Sequence, residues 1–279
     1  MPLGRSLHIG LNTVNPDAYG GWSGDLAACE FDARDMKSIC AAAGLRTRTL
    51  LTARATSRAV LGALDRAAAA LADGDLFVVT YAGHGGQMPD EDGDEKDRRD
   101  ETWVLYDRQV LDDELFARWA AFAPGVRIVV VSDSCHSGSV VRAQLGATAG
   151  AAGLGADALT SVFAGGRFMP AAVNDRDNAD RRSVYDTVRA GTHGADSMPL
   201  AARVLLLSGC QDNQTSSDGD QNGLFTGTLR TVWADGAFRG GYRTLLTRIK
   251  AQMPPWQTPN YLALNDPKGA FRTERPFAI

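Results

Sequence analysis

Residues 127–138 read Arg-Ile-Val-Val-Val-Ser-Asp-Ser-Cys-His-Ser-Gly, an apolar run that ends abruptly in a thiol and a turn of small residues. A short apolar run bounded by turn residues is typical of a buried strand. The run Leu-Phe-Val-Val-Thr-Tyr-Ala at 76–82 has the same character and ends at Gly83-His84-Gly85-Gly86. Because active sites of open parallel sheets lie beyond the carboxyl ends of the strands, we expect Cys135 and His84 to meet there.

A cysteine and a histidine placed in this way can act as a nucleophile and its base. A free thiol is only slightly ionised near neutral pH, so a nucleophilic cysteine needs an imidazole that removes its proton and later protonates the leaving amine. Cys135 and His84 are predicted to take these roles. His136 follows the cysteine directly, and its side chain is expected to point away. The amides of Gly85 and Cys135 are the predicted oxyanion donors.

Composition limits the possible classes of protein. The chain has 279 residues, of which 44% are hydrophobic, and a net charge of −4. It is long enough for one large α/β domain. It has no excess of positive charge that would attract nucleic acid. Its apolar stretches are of strand length, so no membrane segment is predicted. Residues 1–14 lack the apolar core of a secretory signal, so we expect a cytoplasmic protein. Four cysteines, one of them needed as a thiolate, argue against a disulfide framework.

Strand and helix patterns alternate along the chain, which favours a mostly parallel sheet with helices on both faces. Strands are predicted at 6–11, 46–51, 76–82, 127–132, 203–208 and 259–264. Helices are predicted at 26–43, 57–72, 111–122, 223–235 and 242–252. The predicted fold is therefore α/β, with a six-stranded central sheet.

Four blocks of the chain resemble metacaspases and their bacterial relatives among the caspase-like (clan CD) cysteine peptidases. The blocks are Cys29–Met36, Tyr81–Gly85, Asp133–Gly138 and Leu207–Asp218. His84 precedes Cys135 by about 50 residues, as in caspases, although the Gln-Ala-Cys signature of animal caspases is absent. The resemblance covers residues 5–142 and 202–265 and implies a caspase-like three-layer sandwich. We expect a single peptidase domain over 1–279, with a large catalytic segment at 1–142 and a small segment at 201–279.

The stretch 143–200 between these segments is predicted to be an inserted linker loop on the surface. It begins with Gly/Ala-rich sequence and continues through the charged residues 174–182. In the family this is where the two catalytic segments meet, and some members cut themselves there. If cleavage follows basic residues, the candidate cut sites are Arg167, Arg176, Arg181, Arg182 and Arg189.

Acidic residues predict the substrate preference. Asp133 lies two residues before Cys135, so an extended backbone points both side chains to the same side. The resemblance aligns Asp32 with the specificity-pocket Asp of the family. Two buried carboxylates disfavour an acidic substrate side chain and favour a cation, above all a guanidinium. We therefore expect cleavage after Arg or Lys.

Three further residues are assigned to substrate binding by the resemblance. Cys29 belongs to the same block as Asp32, and Ala82 stands where the family usually has Ser. The missing hydroxyl leaves the ranking of Arg over Lys open. Asp212 either assists farther along the cleft or has a structural role.

The acidic stretch at 90–101 invites a calcium interpretation. It is not an EF-hand loop, because Glu95 stands where the motif requires Gly. Four acidic residues instead resemble the positions at which calcium-activated metacaspases hold the ion: Asp97, Asp100, Asp112 and Asp113. The chemistry itself requires no cofactor, and Ca²⁺ is predicted only as a stimulating ion.

The sequence thus predicts a cysteine endopeptidase that acts on a protein or peptide substrate through a thioester. The resemblance implies a monomer and a role in programmed cell death or defence. Two alternatives stay open at this point. One is a caspase-like peptidase with Asp or Asn specificity, and the other is a non-catalytic caspase-like binding module, which would lack the Cys or the His.

Overall fold

The fold is built on a six-stranded sheet. The computed structural model describes residues 2–89, 99–134, 166–192, 195, 198–210 and 216–279. The strands in chain order are β1 (Gly4–Gly10), β2 (Arg46–Leu51), β3 (Leu76–Ala82), β4 (Gly85–Pro89), β5 (Arg99–Val104), β6 (Gln109–Leu111), β7 (Arg127–Asp133), β8 (Arg203–Ser208) and β9 (Asn260–Leu264). The large sheet has the order β2-β1-β3-β7-β8-β9, in which only β9 is antiparallel to its neighbour. The predicted mostly parallel, six-stranded sheet is confirmed.

The register of this sheet places the predicted site residues at one edge. Ala82, the last residue of β3, pairs with Asp133, the last residue of β7. His84 follows β3, and Cys135 follows β7 in the sequence. The two central strands are buried along almost their whole length, as expected for parallel strands covered on both faces.

Helices cover both faces of the sheet. They are α1 (Cys29–Ala42), α2 (Ser57–Ala68), α3 (Asp112–Ala120), α4 (Ala171–Asp180), α5 (Arg182–Thr192), α6 (Leu224–Trp233) and α7 (Tyr242–Lys250). α2 and α3 pack on one face and α1, α6 and α7 on the other, because successive strand residues point to opposite faces. This is the predicted three-layer arrangement. Among the helices of the described residues, none is long and apolar enough to cross a membrane.

A second, three-stranded antiparallel sheet, β4-β5-β6, was not predicted. It begins directly after His84, and the Tyr81 hydroxyl fastens it to β3 by donating to the carbonyls of His84 at 2.6 Å and Val104 at 3.0 Å. Its strands carry Gly, Pro and charged residues without a regular apolar alternation, so the sequence offered no strand signal.

The structure corrects the description of 143–200 as a surface loop. Residues 171–192 form α4 and α5, and Asp177 of α4 is buried. Its carboxylate accepts hydrogen bonds from Gln109 Nε2 at 2.9 Å and from the Tyr185 hydroxyl at 2.6 Å. The charged composition concealed these helices, because only a few apolar residues, such as Tyr185 and Val188, accompany the buried polar contacts of Asp177. Residues 143–165 lie outside the described residues.

Candidate active site

His84 is buried at the carboxyl end of β3. Its Nε2 lies 3.0 Å from the carbonyl oxygen of Gly24, and its ring packs against Trp22 with the ring centroids 4.8 Å apart. A carbonyl oxygen can only accept, so Nε2 carries a proton and Nδ1 is the basic nitrogen of the neutral ring. Nδ1 is buried and has no hydrogen-bond partner among the described residues. The imidazole is therefore oriented with a lone pair available for proton transfer.

The surroundings keep this imidazole neutral. Burial lowers the pKa of His84 to about 4. The Gly24 carbonyl opposes that effect, the positive charge of Arg167 adds to it, and the backbone of Phe168, which lies beside the ring, opposes it again. At neutral pH the ring can therefore accept a proton, as a general base must.

Three carboxylates converge on one guanidinium beside this histidine. The side chain of Arg167 is fully buried, with Nη2 2.6 Å from Asp32 Oδ2, Nη1 3.1 Å from Asp133 Oδ2 and Nη2 2.9 Å from Asp218 Oδ1. Arg167 Nε also donates to Asp218 Oδ1 at 3.3 Å, and Nη1 donates to the carbonyl of Asp133 at 3.0 Å. We call Asp32, Asp133 and Asp218 the acidic pocket.

The N-terminal end of α6 helps to hold the pocket carboxylates in place. Asp133 accepts hydrogen bonds from the amide and hydroxyl of Thr226, at 3.1 and 2.7 Å, and from the Ser216 hydroxyl at 2.5 Å. Asp32 accepts from the amide of Gly223 at 3.1 Å and from Asn222 Nδ2 at 3.0 Å. The free amides and the dipole at a helix N-terminus stabilise negative charge. These contacts give both buried carboxylates hydrogen-bond donors in place of water.

Gly223 forms a flat wall of the pocket. A Cβ atom added there would lie 2.5 Å from Arg167 Nη2 and 2.6 Å from Cζ, well inside van der Waals contact. The backbone of Gly223 has φ −60° and ψ 152°, which any residue can adopt. The glycine is thus needed for the room it leaves rather than for its conformational freedom.

The main chain around Arg167 is paired on two sides. The Arg167 amide donates to the carbonyl of Ser216 at 2.9 Å, and the Gly85 amide donates to the carbonyl of Arg167 at 3.0 Å. The amide of Met169 donates to the Gly85 carbonyl at 2.8 Å. Gly85, the predicted oxyanion donor, therefore binds the carbonyl of the residue whose side chain fills the acidic pocket.

The other residues predicted for substrate binding lie at the same end of the sheet. Ala82 pairs with Asp133 across β3 and β7. Cys29 is fully buried at the start of α1, and burial raises the pKa of its thiol well above the usual range, although the nearby Arg167 cation lowers it. A neutral thiol at this position cannot supply charge to the pocket. Cys135, with its amide, and Asp212 lie outside the described residues, so their roles stay predictions.

The predicted calcium ligands are only partly described. Asp97 lies outside the described residues, whereas Asp100 is in β5 and Asp112 and Asp113 begin α3. Thr102 pairs with Leu111, so β5 runs from Asp100 alongside the start of α3. Asp100 Oδ2 lies 3.5 Å from Arg189 Nε, and no group of three or more His, Cys, Asp or Glu side chains in the described residues is arranged to hold a metal. The calcium site therefore stays a prediction.

Two parts of the pocket were missed by reasoning from the sequence. Asp218 closes one of the four blocks, yet Asp212 in the same block was assigned to the cleft instead. Nothing local distinguishes these acids, because what places Asp218 is contact with a distant segment, where it accepts from the amide of Ala27 at 2.6 Å. Gly223 was also missed, although a glycine at the start of a predicted helix could have indicated close contact with a ligand.

The family model that matches the chain is described as Caspase domain and covers residues 13–268. Among curated relatives, Metacaspase-1 of Mycosarcoma maydis is 29% identical over 247 residues, which are 80% of this chain and 60% of the relative. Metacaspase-1A of Aspergillus fumigatus (strain Af293) is 30% identical over 255 residues, which are 82% of this chain and 59% of the relative. The chain thus spans little more than half the length of these relatives.

Two solved structures extend the comparison. Protein GSU0716 from Geobacter sulfurreducens has a TM-score of 0.86 and 45% identity, covering 100% of this chain and 99% of that one. Caspase-1 from Spodoptera frugiperda has a TM-score of 0.51 and 11% identity, covering 94% of this chain and 86% of that one, a likeness of fold alone. Because the family model spans nearly the whole sheet and the relatives match most of the chain, this chain belongs to the caspase-domain family, among its metacaspase-like members.

Proposed function

We propose that this protein is a cysteine endopeptidase that cleaves peptide bonds after arginine and, less efficiently, after lysine. One observation carries the proposal: the acidic pocket holds a guanidinium while the Gly85 amide binds the carbonyl of the same residue, beside a neutral imidazole. A substrate residue bound in this way would present its carbonyl carbon to a nucleophile at the end of β7, where the sequence places Cys135.

In this mechanism His84 Nδ1 takes the proton of Cys135 Sγ as the sulfur attacks the substrate carbonyl carbon. The Gly85 N–H, with the Cys135 amide as the predicted second donor, stabilises the oxyanion that forms. His84 then protonates the leaving amine, which departs and leaves a thioester. A water molecule that gives its proton to His84 hydrolyses the thioester and restores the thiol.

The pocket contacts support arginine over lysine. All three guanidinium nitrogens of Arg167 donate to the acidic pocket: Nε to Asp218, Nη1 to Asp133, and Nη2 to both Asp32 and Asp218. A lysine ammonium is a single point charge and cannot reproduce this planar fork. The missing hydroxyl at Ala82 is then of little consequence, because the carboxylates already engage every guanidinium nitrogen.

The same contacts oppose the alternatives. A substrate Asp would bring a further carboxylate among three buried ones, and like charges in a low-dielectric site repel strongly. Asn would leave the pocket carboxylates without a cation. The presence of both Cys135 and His84 favours an enzyme over a non-catalytic binding module.

A panel of peptides that differ only in the residue before the cut, Arg, Lys, Asp or Asn, tests this proposal. We expect the highest kcat/KM for Arg, then Lys, and no measurable cleavage after Asp or Asn. Running the panel with Ca²⁺ and with a chelator also tests the predicted calcium stimulation. Efficient cleavage after Asp would contradict the pocket assignment.

Variants tested on the same panel examine the two catalytic residues. Cys135→Ala should abolish turnover, and His84→Ala should lower it by several orders of magnitude. His136→Ala is the matched control and should have a mild effect. If the His136 variant were as inactive as the His84 variant, the base would be wrongly assigned.

A further inference from the structure

We propose that Trp22 is a positioning residue of the reaction: its indole covers the imidazole of His84, keeps water from it and holds the ring against the Gly24 carbonyl. The inference rests on the proposed peptidase function, in which His84 is the base. Trp22 lies outside the four blocks that resemble metacaspases, so no motif of the sequence assigns it a role.

The indole of Trp22 and the imidazole of His84 are packed against each other. Their ring centroids are 4.8 Å apart, and the ring planes are inclined by 55°. The His84 side chain is buried, whereas Trp22 is only partly buried. A partly exposed indole that lies against a buried imidazole shields that side of the ring from solvent.

Gly24 lies close to both rings. A Cβ atom added to Gly24 would lie 2.9 Å from Trp22 Cη2 and 3.1 Å from His84 Cδ2. The backbone of Gly24 has a φ of +56°, which residues with a side chain rarely adopt. Its carbonyl oxygen, which accepts from His84 Nε2 at 3.0 Å, is therefore presented to the imidazole by the same turn that carries Trp22.

The turn that carries Trp22 is fixed by its own contacts. The Tyr19 ring packs edge-on against the indole, with the centroids 6.1 Å apart, and the Tyr19 hydroxyl donates to the Leu105 carbonyl at 2.7 Å. The Trp22 amide donates to the Tyr19 carbonyl at 3.2 Å, and the Val14 amide donates to the Ser23 carbonyl at 2.8 Å. The indole is thus held independently of the imidazole, so it can orient the imidazole rather than follow it.

Two arginines of the segment 171–192 also support this turn. Arg176 Nη1 donates to the Gly20 carbonyl at 3.2 Å, and the Arg181 guanidinium carbon lies 5.6 Å from the centroid of the Tyr19 ring. A guanidinium over the face of an aromatic ring is attracted to it. Residues that the sequence predicts to be a surface loop therefore help to hold Trp22 in place.

Covering the imidazole has two consequences for a general base. Burial disfavours the protonated ring and is the main cause that lowers the pKa of His84 to about 4. The charged groups that act most strongly on the ring are Arg167, which lowers the pKa, and Asp218, which raises it, and neither belongs to this turn. A ring held in one orientation also keeps Nδ1 directed at the proton that it must accept, and proton transfer requires such alignment.

NMR titration of the four histidine rings, with His84→Gln to assign the His84 signal, tests the cover without any substrate. Trp22→Ala lets water reach the imidazole, so we expect the pKa of His84 to rise from about 4 towards the usual value of 6.5. The kcat for an Arg peptide at pH 7.5 should fall about 10-fold or more with KM little changed, because the acidic pocket is intact. Trp22→Phe, which keeps an aromatic ring at this position, should recover most of both properties. Should Trp22→Ala not fold, Trp22→Leu should show the same changes to a smaller extent.

Tyr106→Ala is the matched control, because Tyr106 is also a partly buried aromatic residue packed against the same core. It should lower the melting temperature and leave the pKa of His84 and kcat unchanged. If the wild type hydrolyses Arg peptides but Trp22→Ala keeps the wild-type pKa of His84, or keeps the wild-type kcat, the inference is overturned and the peptidase assignment stands. If the wild type hydrolyses no Arg peptide, the proposed function itself fails, whatever the pKa of His84.

Discussion

Asp218 is the residue whose role is least visible in the sequence. It is the acid that engages both Nε and Nη2 of the bound guanidinium. Asp218→Asn keeps an oxygen that can accept from the Ala27 amide but removes the negative charge. We expect transition-state binding of an Arg peptide, measured through kcat/KM, to weaken by about 2–5 kcal/mol. The loss for a Lys peptide should be smaller.

The control for this prediction lies two residues away. Asp220 is exposed, and Asp220→Asn should leave both peptides unaffected. Steady-state kinetics on Arg and Lys peptides, with a melting temperature for each variant, checks the expectation. An Arg-to-Lys preference equal to that of the wild type in the Asp218 variant would exclude this residue from the pocket.

Asp32 determines the expected pH dependence of the pocket. Burial raises its pKa to about 6, with Arg167 lowering it and Asp133 raising it. As the pH falls through about 6, the carboxylate gains a proton and the pocket loses one negative charge. We expect kcat/KM for Arg peptides to decrease below that pH, whereas His84, with a pKa of about 4, stays a neutral base over the same range.

Asp32→Asn tests which group causes this loss of activity at low pH. The variant should have lower activity at neutral pH, and its pH–rate profile should be flat between pH 7 and 5. The rate of thiol alkylation by iodoacetamide, which does not need the pocket, should follow the thiolate fraction and show no additional break near pH 6 in the wild type. A decrease in kcat/KM near pH 6 that persists in the Asn variant would indicate another titrating group.

At the scale of elements, the start of α6 stabilises the negative charge of the pocket and determines its shape. Its first amides bind Asp32 and Asp133, and Gly223 leaves the space that a guanidinium occupies. Gly223→Ala keeps an allowed backbone but places a methyl group against the cation. We expect at least about 100-fold lower kcat/KM for Arg peptides, a loss typical of a displaced charge contact.

A glycine in another helix provides the control for Gly223. An added Cβ at Gly191, in α5, meets nothing within 4 Å, so Gly191→Ala should leave activity unchanged. Kinetics and thermal melting of both variants check the prediction. Normal cleavage by Gly223→Ala would show that substrates do not bind where Arg167 lies.

At the scale of the whole molecule, a buried histidine makes stability depend on pH. His8 lies in β1, with Nδ1 3.0 Å from Thr80 Oγ1 and Nε2 2.8 Å from Ser6 Oγ. Burial, with a smaller effect of Lys37, lowers its pKa to about 3. The unfolded chain therefore takes up a proton near pH 6.5 that the folded protein cannot accept until near pH 3, and stability falls as the pH decreases between these values.

His8→Gln should reduce this dependence. Between pH 7.5 and 5 we expect the wild type to lose about 2 kcal/mol more of its unfolding free energy than the variant loses. Urea denaturation at both pH values measures the difference. His84 contributes in the same direction in both proteins and so cancels in the comparison. Equal losses would show that His8 is protonated in the folded state.

The sequence by itself determined the central sheet and the position of its reactive end. The apolar runs that became β3 and β7 are continuous because both of their faces are buried, and such a local pattern is readable without any partner. His84 is positioned by the end of β3 alone. The position of Asp32 and Asp133 at this end of the sheet was also accessible, since each lies in a short block with a recognisable neighbour.

The tertiary structure alone decided how the pocket is completed and what fills it. Asp218, Gly223 and Arg167 come from segments far apart in the chain, and no local periodicity encodes contacts between them. The β4-β5-β6 sheet and the helices α4 and α5 were hidden for a related reason: they are joined through buried polar groups such as Asp177. A polar residue that faces inward has the same sequence signature as a solvated one, and only its distant partners distinguish the two.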